Sequence, residues 1–317
     1  MSVLDIPYIN LLKYVLENGK ERKERTGTNT ISCFGQQIKF DISTSVPVLT
    51  TKKMAWRSCI IELLWFLRGE TNIKTLQEQR VKIWNANTTR DFLDKNKREH
   101  IKEGEIGAGY GFQWRHFGGD YGSEIPGGFD QISYIINELK TNPMSRRIFL
   151  SAWNPLQMED MALPPCHVSC QFYVEESDEI GEPNYLSCHL YQRSVDCFLG
   201  LPFNIFSYTV LTYLLANICG VKPKELIISM GDVHIYKNHI EQVNIQIKRE
   251  PYPSPQLNIF DEGINIFGGG IAGTKNEFFE TKCRKIAEIK KIDEFTINDF
   301  ELINYHHHPA IVGEMSA

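Results

Sequence analysis

The segment 162–167 places a cysteine directly after two prolines, in the order Ala-Leu-Pro-Pro-Cys-His. Because each proline ring fixes a backbone angle, the thiol of Cys166 is held on a stiff turn rather than on a mobile loop. Apolar and polar residues then alternate over 168–174, which predicts a strand packed on one face. A thiol at such a turn can be aimed at a small ligand as a nucleophile. The alternative is that it is one more small buried apolar group.

A cation that could activate this thiol lies in the run 192–196, Gln-Arg-Ser-Val-Asp, at the end of a second strand-like segment. Only the thiolate is a good nucleophile, and a neighbouring positive charge favours it. We therefore predict that Arg193 lies beside Cys166.

Glu62 is a lone acid within a predicted helix, 55–67, that is apolar on nearly all sides. A carboxylate in such a helix is costly to bury unless it is paired or protonated. One interpretation is an ion pair with an arginine. The other is a carboxyl group with a raised pKa that faces a pocket and moves protons through water.

Further polar residues have the chemistry to bind an anionic nucleotide-like ligand. Arginine matches phosphate with paired hydrogen bonds, and the candidates are Arg25, Arg146, Arg147 and Arg193. Asn204 follows Leu-Pro-Phe at the predicted start of a helix, where it is either an N-cap or an amide that pairs with an amide-like edge such as that of uracil. His234 and Tyr236, on one side of a predicted extended turn, suit sugar hydroxyls.

Composition limits the class of protein. The chain has 317 residues and a formal net charge of -5, so no overall basic field indicates bulk nucleic-acid binding. We recognise no signal peptide and no membrane span in the sequence. The eight cysteines form no Cys-x-x-Cys pair, which argues against a zinc or redox pair and favours a reducing compartment. We expect a cytoplasmic protein, with a nuclear or organellar pool left open.

Helical and strand patterns mix along the whole chain, which predicts one α+β domain. Asp5 is predicted to cap a first helix that ends near Gly19, residues 204–218 a buried helix, and 226–229 a short strand. The acidic segment 175–184 is predicted to be a hairpin loop.

Taken together, several separated segments resemble the thymidylate synthase family. The run 161–167 resembles its nucleophile motif, and 192–194, Asp196, 199–200, 202–204, 231–232, His234 and Tyr236 match its other signatures in the same order. The resemblance covers nearly the whole chain. It implies a single domain over 1–317 with a mixed β-sheet and flanking helices, a peripheral loop insertion at 175–184, and a C-terminal tail at 309–317 that closes over the ligands.

The resemblance implies conversion of dUMP to dTMP, with 5,10-methylenetetrahydrofolate as the co-substrate that supplies carbon and hydride, and with no metal. The implied catalytic residues are Cys166, which adds to uracil C6, and Glu62, Tyr110, His167, Arg193, Asp196 and Asn204. The implied dUMP-binding residues are Arg25, Arg146, Arg147, Gln192, Arg193, Ser194, Asp196, Asn204, His234 and Tyr236. The implied folate-binding residues are Lys52, near the glutamate tail of the folate, and Ile83, Trp84, Asn87, Asp196, Leu199, Gly200, Phe203 and Ala317.

The family resemblance also implies an obligate homodimer, in which Arg146 and Arg147 are donated to the site of the partner subunit. Two departures from the family pattern are visible. Ala108 and Gly109 stand before Tyr110 where the family usually has a proline and a bulkier residue, and the extra glycine is expected to loosen that loop. Gly313 is expected to make closure of the tail more costly in conformational entropy.

Two other functions compete with this one. A dUMP hydroxymethylase would quench the same methylene intermediate with water, and Asn204 favours uracil over cytosine as its base. A non-catalytic nucleotide- or RNA-binding regulator is disfavoured because the expected catalytic residues are all present, although RNA binding as a second role stays open.

Overall fold

The computed structural model describes residues 3–23, 27–261, 264–267 and 291–314. Its α-helices are α1 (Asp5–Asn18), α2 (Trp56–Leu67), α3 (Lys74–Glu78), α4 (Arg90–Lys95), α5 (Tyr110–His116), α6 (Gln131–Thr141), α7 (Gly200–Cys219) and α8 (Ile240–Gln246). Its strands are β1 (Lys20–Arg22), β2 (Thr30–Asp41), β3 (Phe149–Ser151), β4 (His167–Glu175), β5 (Tyr185–Asp196), β6 (Lys222–Tyr236), β7 (Gln256–Asp261), β8 (Ile264–Phe267) and β9 (Phe300–Ile303). Short 3-10 turns lie at Ala86–Thr88, Pro155–Asp160, Lys237–His239 and Ile297–Asp299.

A six-stranded sheet in the order β1-β2-β6-β5-β4-β3 organises the domain, and a smaller sheet has the order β8-β7-β9. Strands β5 and β6 are parallel and joined by α7, whereas the other neighbours in the large sheet are antiparallel. The mixed sheet and the α+β class are therefore as predicted from the sequence.

Strand directions bring the predicted site to one edge of the large sheet. Because β5 and β6 are parallel, with Asp196 opposite His234, their carboxyl ends lie together. The antiparallel strand β4 begins at that edge, where His167 pairs with Gln192, and β2 begins there too, where Thr30 pairs with Tyr236. Residues far apart in the chain thus meet at this edge.

The core lies between one face of the large sheet and the helices. In β5, buried positions alternate with half-buried or exposed ones up to Gln192, so the strand has one covered and one open face. Helices α2 and α7 pack on each other, and three quarters of the residues of α7 are buried. Helix α7 is long and apolar enough to cross a membrane by length and composition, but 83% of that window is buried inside the protein, as in a core helix.

Among the sequence predictions about local structure, those for Asp5 and for the strand at 226–229 are wrong. Asp5 does not cap α1, because Leu4 holds the N-cap position. The buried Asp5 carboxylate instead accepts hydrogen bonds from the backbone N–H groups and hydroxyls of Thr50 and Thr51. The hydrogen-bond donors for the Asp5 carboxylate therefore come from the loop at Thr50 and Thr51 rather than from the first turn of α1.

The predicted short strand at 226–229 is in fact the long strand β6, which extends to Tyr236. It is long because β2 and β5 pair with it on both sides. His234 and Tyr236 consequently lie in a strand rather than in an extended turn. The segment 175–184 is a hairpin connection between the antiparallel strands β4 and β5, as predicted.

Candidate active site

Cys166 lies just before β4, and Arg193 on the neighbouring β5 approaches it, as predicted. The Nη2 atom of Arg193 is 3.9 Å from the Cys166 Sγ. Its guanidinium also donates to the backbone oxygens of Pro164 and Pro165, each at 2.8 Å. The proline turn therefore holds the cation against the sulfur, where its charge stabilises the thiolate.

The aromatic rings of Tyr110 and His167 lie beside this thiol. The Tyr110 hydroxyl accepts a hydrogen bond from the Cys166 backbone N–H at 2.7 Å. The Tyr110 ring stacks on His167 with ring centroids 3.9 Å apart. The neighbouring glycines therefore do not keep Tyr110 away from the thiol. His167 Nδ1 lies 2.8 Å from the Tyr208 hydroxyl.

The ionisation states of these rings follow from burial. Loss of solvation lowers the pKa of His167 to about 3, so its imidazole is neutral at pH 7. Burial also raises the pKa of Tyr110 and of Tyr208 well above the ordinary value, so both phenols keep their protons. The site presents neutral hydrogen-bonding groups next to one thiol and one cation.

Glu62 lies on α2, and its surroundings raise its pKa, as the second interpretation requires. The Nε1 of Trp84 donates to its Oε1 at 2.7 Å. Burial raises the pKa of Glu62 to about 7, and the Trp84 hydrogen bond opposes that shift. Among the described residues no basic side chain forms an ion pair with Glu62, so the interpretation as a simple ion pair is not supported.

Asn204 is inside α7 rather than at its start, so the N-cap interpretation is wrong. Its Oδ1 accepts a hydrogen bond from Gln192 Nε2 at 2.7 Å. In this arrangement the Asn204 NH₂ group remains available as a donor. Gln192 is buried, and its own Oε1 has no hydrogen-bond partner within the described ranges.

A small polar cavity lies where β2, β5 and β6 meet, and its lining residues are Arg22, Lys23, Thr30, Ser194, Asp232 and His234. Asp232 Oδ1 lies 3.0 Å from His234 Nδ1, and Asp232 Oδ2 accepts from Arg22 at 2.5 Å. The hydrogen bond with His234 is the main cause that lowers the pKa of Asp232; burial opposes it, and the charges of His234 and Arg22 lower the pKa further. Tyr236 contacts His234 edge-on, with ring centroids 5.1 Å apart.

The predicted folate residues around Asp196 also lie together. Asp196 Oδ1 accepts from the backbone N–H groups of Phe198 and Leu199 at 2.9 and 3.1 Å, directly before α7. Lys52 is buried; its Nζ donates to the Phe198 oxygen at 2.5 Å and lies 3.7 Å from the centre of the Phe198 ring. Burial lowers the pKa of Lys52 to about 7, against the attraction of Asp196. Contact of Lys52 with the glutamate tail of the folate stays a prediction.

A second group of predicted folate residues includes Trp84, which donates to Glu62. Trp84 is buried, while Ile83, Asn87 and Phe203 are half-buried. Ile83 and Asn87 lie one residue before and three residues after Trp84 in the chain. The backbone N–H of Asn87 donates to the Trp84 oxygen at 3.2 Å.

Arg146 and Arg147 do not reach this site within one chain. Both are exposed, and their guanidinium groups make no hydrogen bond or ion pair with a described residue. The Arg146 backbone oxygen accepts from Gln171 on β4. Gln171 is five residues along the strand from Cys166, roughly 16 Å at the usual rise per residue. Arg25 and Ala317 lie outside the described residues.

Several residues of the site were not identified from the sequence. Tyr208 lies within an apolar helix with no local signal for its contact with His167. Arg22 belongs to a charge run that is typical of a solvated surface. Asp232 was part of the family motif at 231–232 but was assigned no role, although strand alternation places it on the same face as His234.

Comparison with known proteins agrees with this arrangement. The family model described as thymidylate synthase matches residues 6–317. The chain is 44% identical to the thymidylate synthase of Homo sapiens, over 98% of this chain and 90% of that protein. It is 43% identical to the thymidylate synthase of human herpesvirus 8, over 98% of this chain and 84% of that protein. It is also 43% identical to the bifunctional dihydrofolate reductase-thymidylate synthase of Plasmodium chabaudi, over 98% of this chain and 48% of that protein. The chain belongs to the thymidylate synthase family.

Proposed function

We propose that this chain converts dUMP to dTMP with 5,10-methylenetetrahydrofolate and releases dihydrofolate. The observation that supports this best is the contact between Cys166 Sγ and the Arg193 guanidinium, at the edge where Glu62, Asn204 and His234 can also face one ligand. A thiolate stabilised by a fixed cation is suited to add to an electron-poor carbon. The uracil ring offers such a carbon at C6.

The proposed covalent step begins with the thiolate of Cys166. Its sulfur bonds to C6, the C5–C6 double bond opens toward C5, and the negative charge is shared by C5 and uracil O4. Carbon C5 then bonds to the one-carbon unit of the folate, and loss of the C5 proton breaks the bond between that carbon and the folate nitrogen. A hydride from the released tetrahydrofolate converts the exocyclic methylene to methyl and leaves dihydrofolate. The sulfur leaves C6 when the double bond is restored, so the enzyme returns to its starting state.

Proton movements need groups that change or hold a proton near neutral pH. Glu62, with a pKa of about 7, is present in both forms at physiological pH and is suited to pass protons to uracil O4 through water. The Tyr110 hydroxyl, held on the Cys166 backbone, is next to the reacting ring and is proposed to assist removal of the C5 proton. Neutral His167 supports the stacked Tyr110 ring.

Recognition of the substrate is proposed to follow from the polar groups around this thiol. Asn204 Oδ1 can accept from uracil N3–H with its second lone pair, and its NH₂ can donate to O4. Cytosine has the opposite pattern at these positions. His234 and Tyr236 are proposed to hold the ribose hydroxyl, and Arg25, Arg193 and Ser194 the phosphate.

The hydrogen-bonding groups near Asp196 fit the proposed folate co-substrate. Asp196 Oδ1 is already occupied by two backbone N–H groups, and Oδ2 makes no hydrogen bond to a described residue. A carboxylate oxygen is a good acceptor for the N–H groups of a pterin ring. Trp84, Leu199, Gly200 and Phe203 would give this ring apolar contacts.

A homodimer is proposed from the open face of the large sheet. Phe34 on β2, Tyr173 on β4 and Tyr191 on β5 are 82%, 61% and 43% exposed there. Large apolar side chains clustered on one sheet face are typical of an interface. Pairing of two such faces would let Arg146 and Arg147, which cannot reach the site of their own chain, serve the partner.

A cytoplasmic location is proposed on the state of the thiols. None of the described cysteines forms a disulfide bond. Free thiols on neighbouring strands, such as Cys170 and Cys188, suit a reducing compartment.

The experiment that tests the function is to incubate the purified protein with dUMP labelled at C5 and methylenetetrahydrofolate. Dihydrofolate, released label and dTMP should appear together. Label release without dihydrofolate would indicate the hydroxymethylase, and dUMP binding with neither signal would indicate a binding protein. Cys166→Ala should abolish turnover and retain dUMP binding, whereas Cys33→Ala, a half-buried thiol outside the site, should remain active.

A further inference from the structure

The last described residues, the tail segment 309–314, are held by side chains from a single neighbouring region. Arg249 Nη1 donates to the Pro309 oxygen at 2.7 Å. His239 Nε2 lies 2.7 Å from the Glu314 oxygen. Both acceptors are backbone carbonyls, so this attachment depends on the path of the tail rather than on its side chains.

His239 gives its hydrogen bond to the tail. It is fully buried, between α8 and the Phe198 ring, whose centre lies 5.1 Å away. A carbonyl oxygen can only accept, so His239 Nε2 carries the proton and donates. Its Nδ1 has no hydrogen-bond partner within the described ranges. The tail carbonyl is therefore the group that satisfies this buried imidazole.

Gly313 allows the tail to come this close. A Cβ atom at this position would lie 2.8 Å from Phe198 Cε1 and 3.1 Å from His239 Cδ2 and Nε2. Both neighbours are rings, which cannot bend away as a flexible side chain would. The glycine, expected from the sequence to make closure more costly in entropy, thus has a steric role in the docked tail.

Phe198 links this tail contact to the proposed folate site. Its backbone N–H donates to Asp196 Oδ1, and its backbone oxygen accepts from Lys52 Nζ. The Lys52 ammonium also lies against its ring. The same residue therefore contacts Gly313 and His239 on one side and the proposed pterin-binding carboxylate on the other.

We propose that His239 is a positioning residue for the folate step. Its hydrogen bond to the Glu314 carbonyl holds the tail against Phe198, and Gly313 permits this contact. The docked tail then fixes Phe198 and, through it, the Asp196 carboxylate. The inference rests on the proposed function, because it assigns folate binding to Asp196.

The test compares His239→Leu, which removes the donor, with His239→Gln, which restores an N–H donor at a similar reach. His239→Leu should raise the KM for methylenetetrahydrofolate roughly five- to tenfold, the effect of one lost hydrogen bond, and His239→Gln should stay within about twofold of the wild type. Gly313→Ala should raise the same KM. The dissociation constant for dUMP should be unchanged in all three.

A matched control and a second readout separate positioning from general damage. Val312→Ala changes an 82% exposed side chain next to Gly313 and should leave the KM for folate unchanged. Carboxypeptidase should release C-terminal residues faster from His239→Leu and Gly313→Ala than from the wild type or Val312→Ala. This readout needs no turnover, so it tests the tail contact even if the wild type forms no dihydrofolate, which would refute the proposed function instead.

Two results would overturn the inference. One is an unchanged KM for folate and unchanged carboxypeptidase release in both His239→Leu and Gly313→Ala. The other is a loss of dUMP affinity as large as the loss for folate, which would show general disruption of the site. If His239→Leu does not fold, Gly313→Ala against Val312→Ala decides the question.

Discussion

The guanidinium of Arg193 is fixed 3.9 Å from the Cys166 sulfur by the carbonyls of Pro164 and Pro165. The turn that stiffens the nucleophile therefore also binds the cation that stabilises its charged form. A single backbone segment thus sets both the position and the reactivity of the thiol.

Replacing Arg193 with Met should remove that stabilisation while keeping a long side chain. We expect alkylation of Cys166 by iodoacetamide at pH 7 to slow by about tenfold, and its half-maximal rate to move to higher pH. Arg193→Lys should have a smaller effect because it retains the charge. Identical pH profiles for Arg193→Met and the wild type would contradict the role given to the cation.

Ionisation of Glu62 should determine how kcat changes with pH. With a pKa of about 7, its ionisation should appear as an inflection in kcat near pH 7. Glu62→Gln should lower kcat by about a hundredfold or more and remove this inflection. The exposed acid Glu78, changed to Gln, is the control and should keep the wild-type profile.

The raised pKa of Glu62 also predicts how the free energy of unfolding changes with pH. The folded protein binds the Glu62 proton more tightly than the unfolded chain, whose carboxyl has the ordinary pKa of 4.5. The free energy of unfolding should therefore fall as pH rises from about 4.5 to 7, relative to Glu62→Gln. Denaturant melts of the two proteins across this range measure the difference. A difference that does not vary with pH would mean that the carboxyl is not perturbed.

Asn204→Asp should change the preferred base. An ionised Asp has only acceptor oxygens and cannot donate to uracil O4, and a protonated Asp matches cytosine as well as it matches uracil. The kcat/KM for dUMP should therefore fall by about ten- to a hundredfold relative to dCMP. Gln192 would still donate to the new carboxyl oxygen, so the helix should keep its position. Asn217→Asp, near the far end of α7, is the matched control. An unchanged dUMP-to-dCMP ratio in Asn204→Asp would limit Asn204 to a structural contact with Gln192.

Mixing two inactive variants should test the shared site. Subunits with Cys166→Ala and subunits with Arg146→Ala form mixed dimers that carry one intact site, so refolding them together should restore about a quarter of wild-type activity. Cys166→Ala mixed with Glu62→Ala is the control, because both residues belong to the site of their own chain and no intact site can form. Recovery in the control, or none in the test mixture, would argue against donation of Arg146.

The sequence was sufficient where local chemistry dominates. Two prolines before Cys166 and strict alternation after it determine a stiff turn and a strand without help from distant residues. Helix α2 was predicted within a residue of its bounds because its apolar run is long and contains no breaker. The placement of Arg193 beside the thiol was also predicted, from the ends of two strands.

Other features depended on residues that are distant in the chain. The sequence could not show that Thr50 and Thr51 supply the donors for Asp5, nor that Asn204 pairs with Gln192 across the strand–helix contact. The same holds for β6, whose length depends on two pairing partners. Secondary-structure propensity reflects a residue and its neighbours in sequence. These features instead depend on groups that only the folded sheet brings close together.

The sequence by itself determined the chemistry available to this protein: a thiol on a rigid turn, a lone acid in an apolar helix, and arginines near strand ends. Only the tertiary structure decided how that chemistry is arranged. It showed that Tyr110 bonds to the Cys166 backbone and that Tyr208 bonds to His167. It also showed that Asp232 bonds to both His234 and Arg22, and that Gly313 packs against the rings of Phe198 and His239. The physical reason is that burial and hydrogen-bond geometry, which set pKa values and exclude a Cβ atom, are properties of packing rather than of residue order.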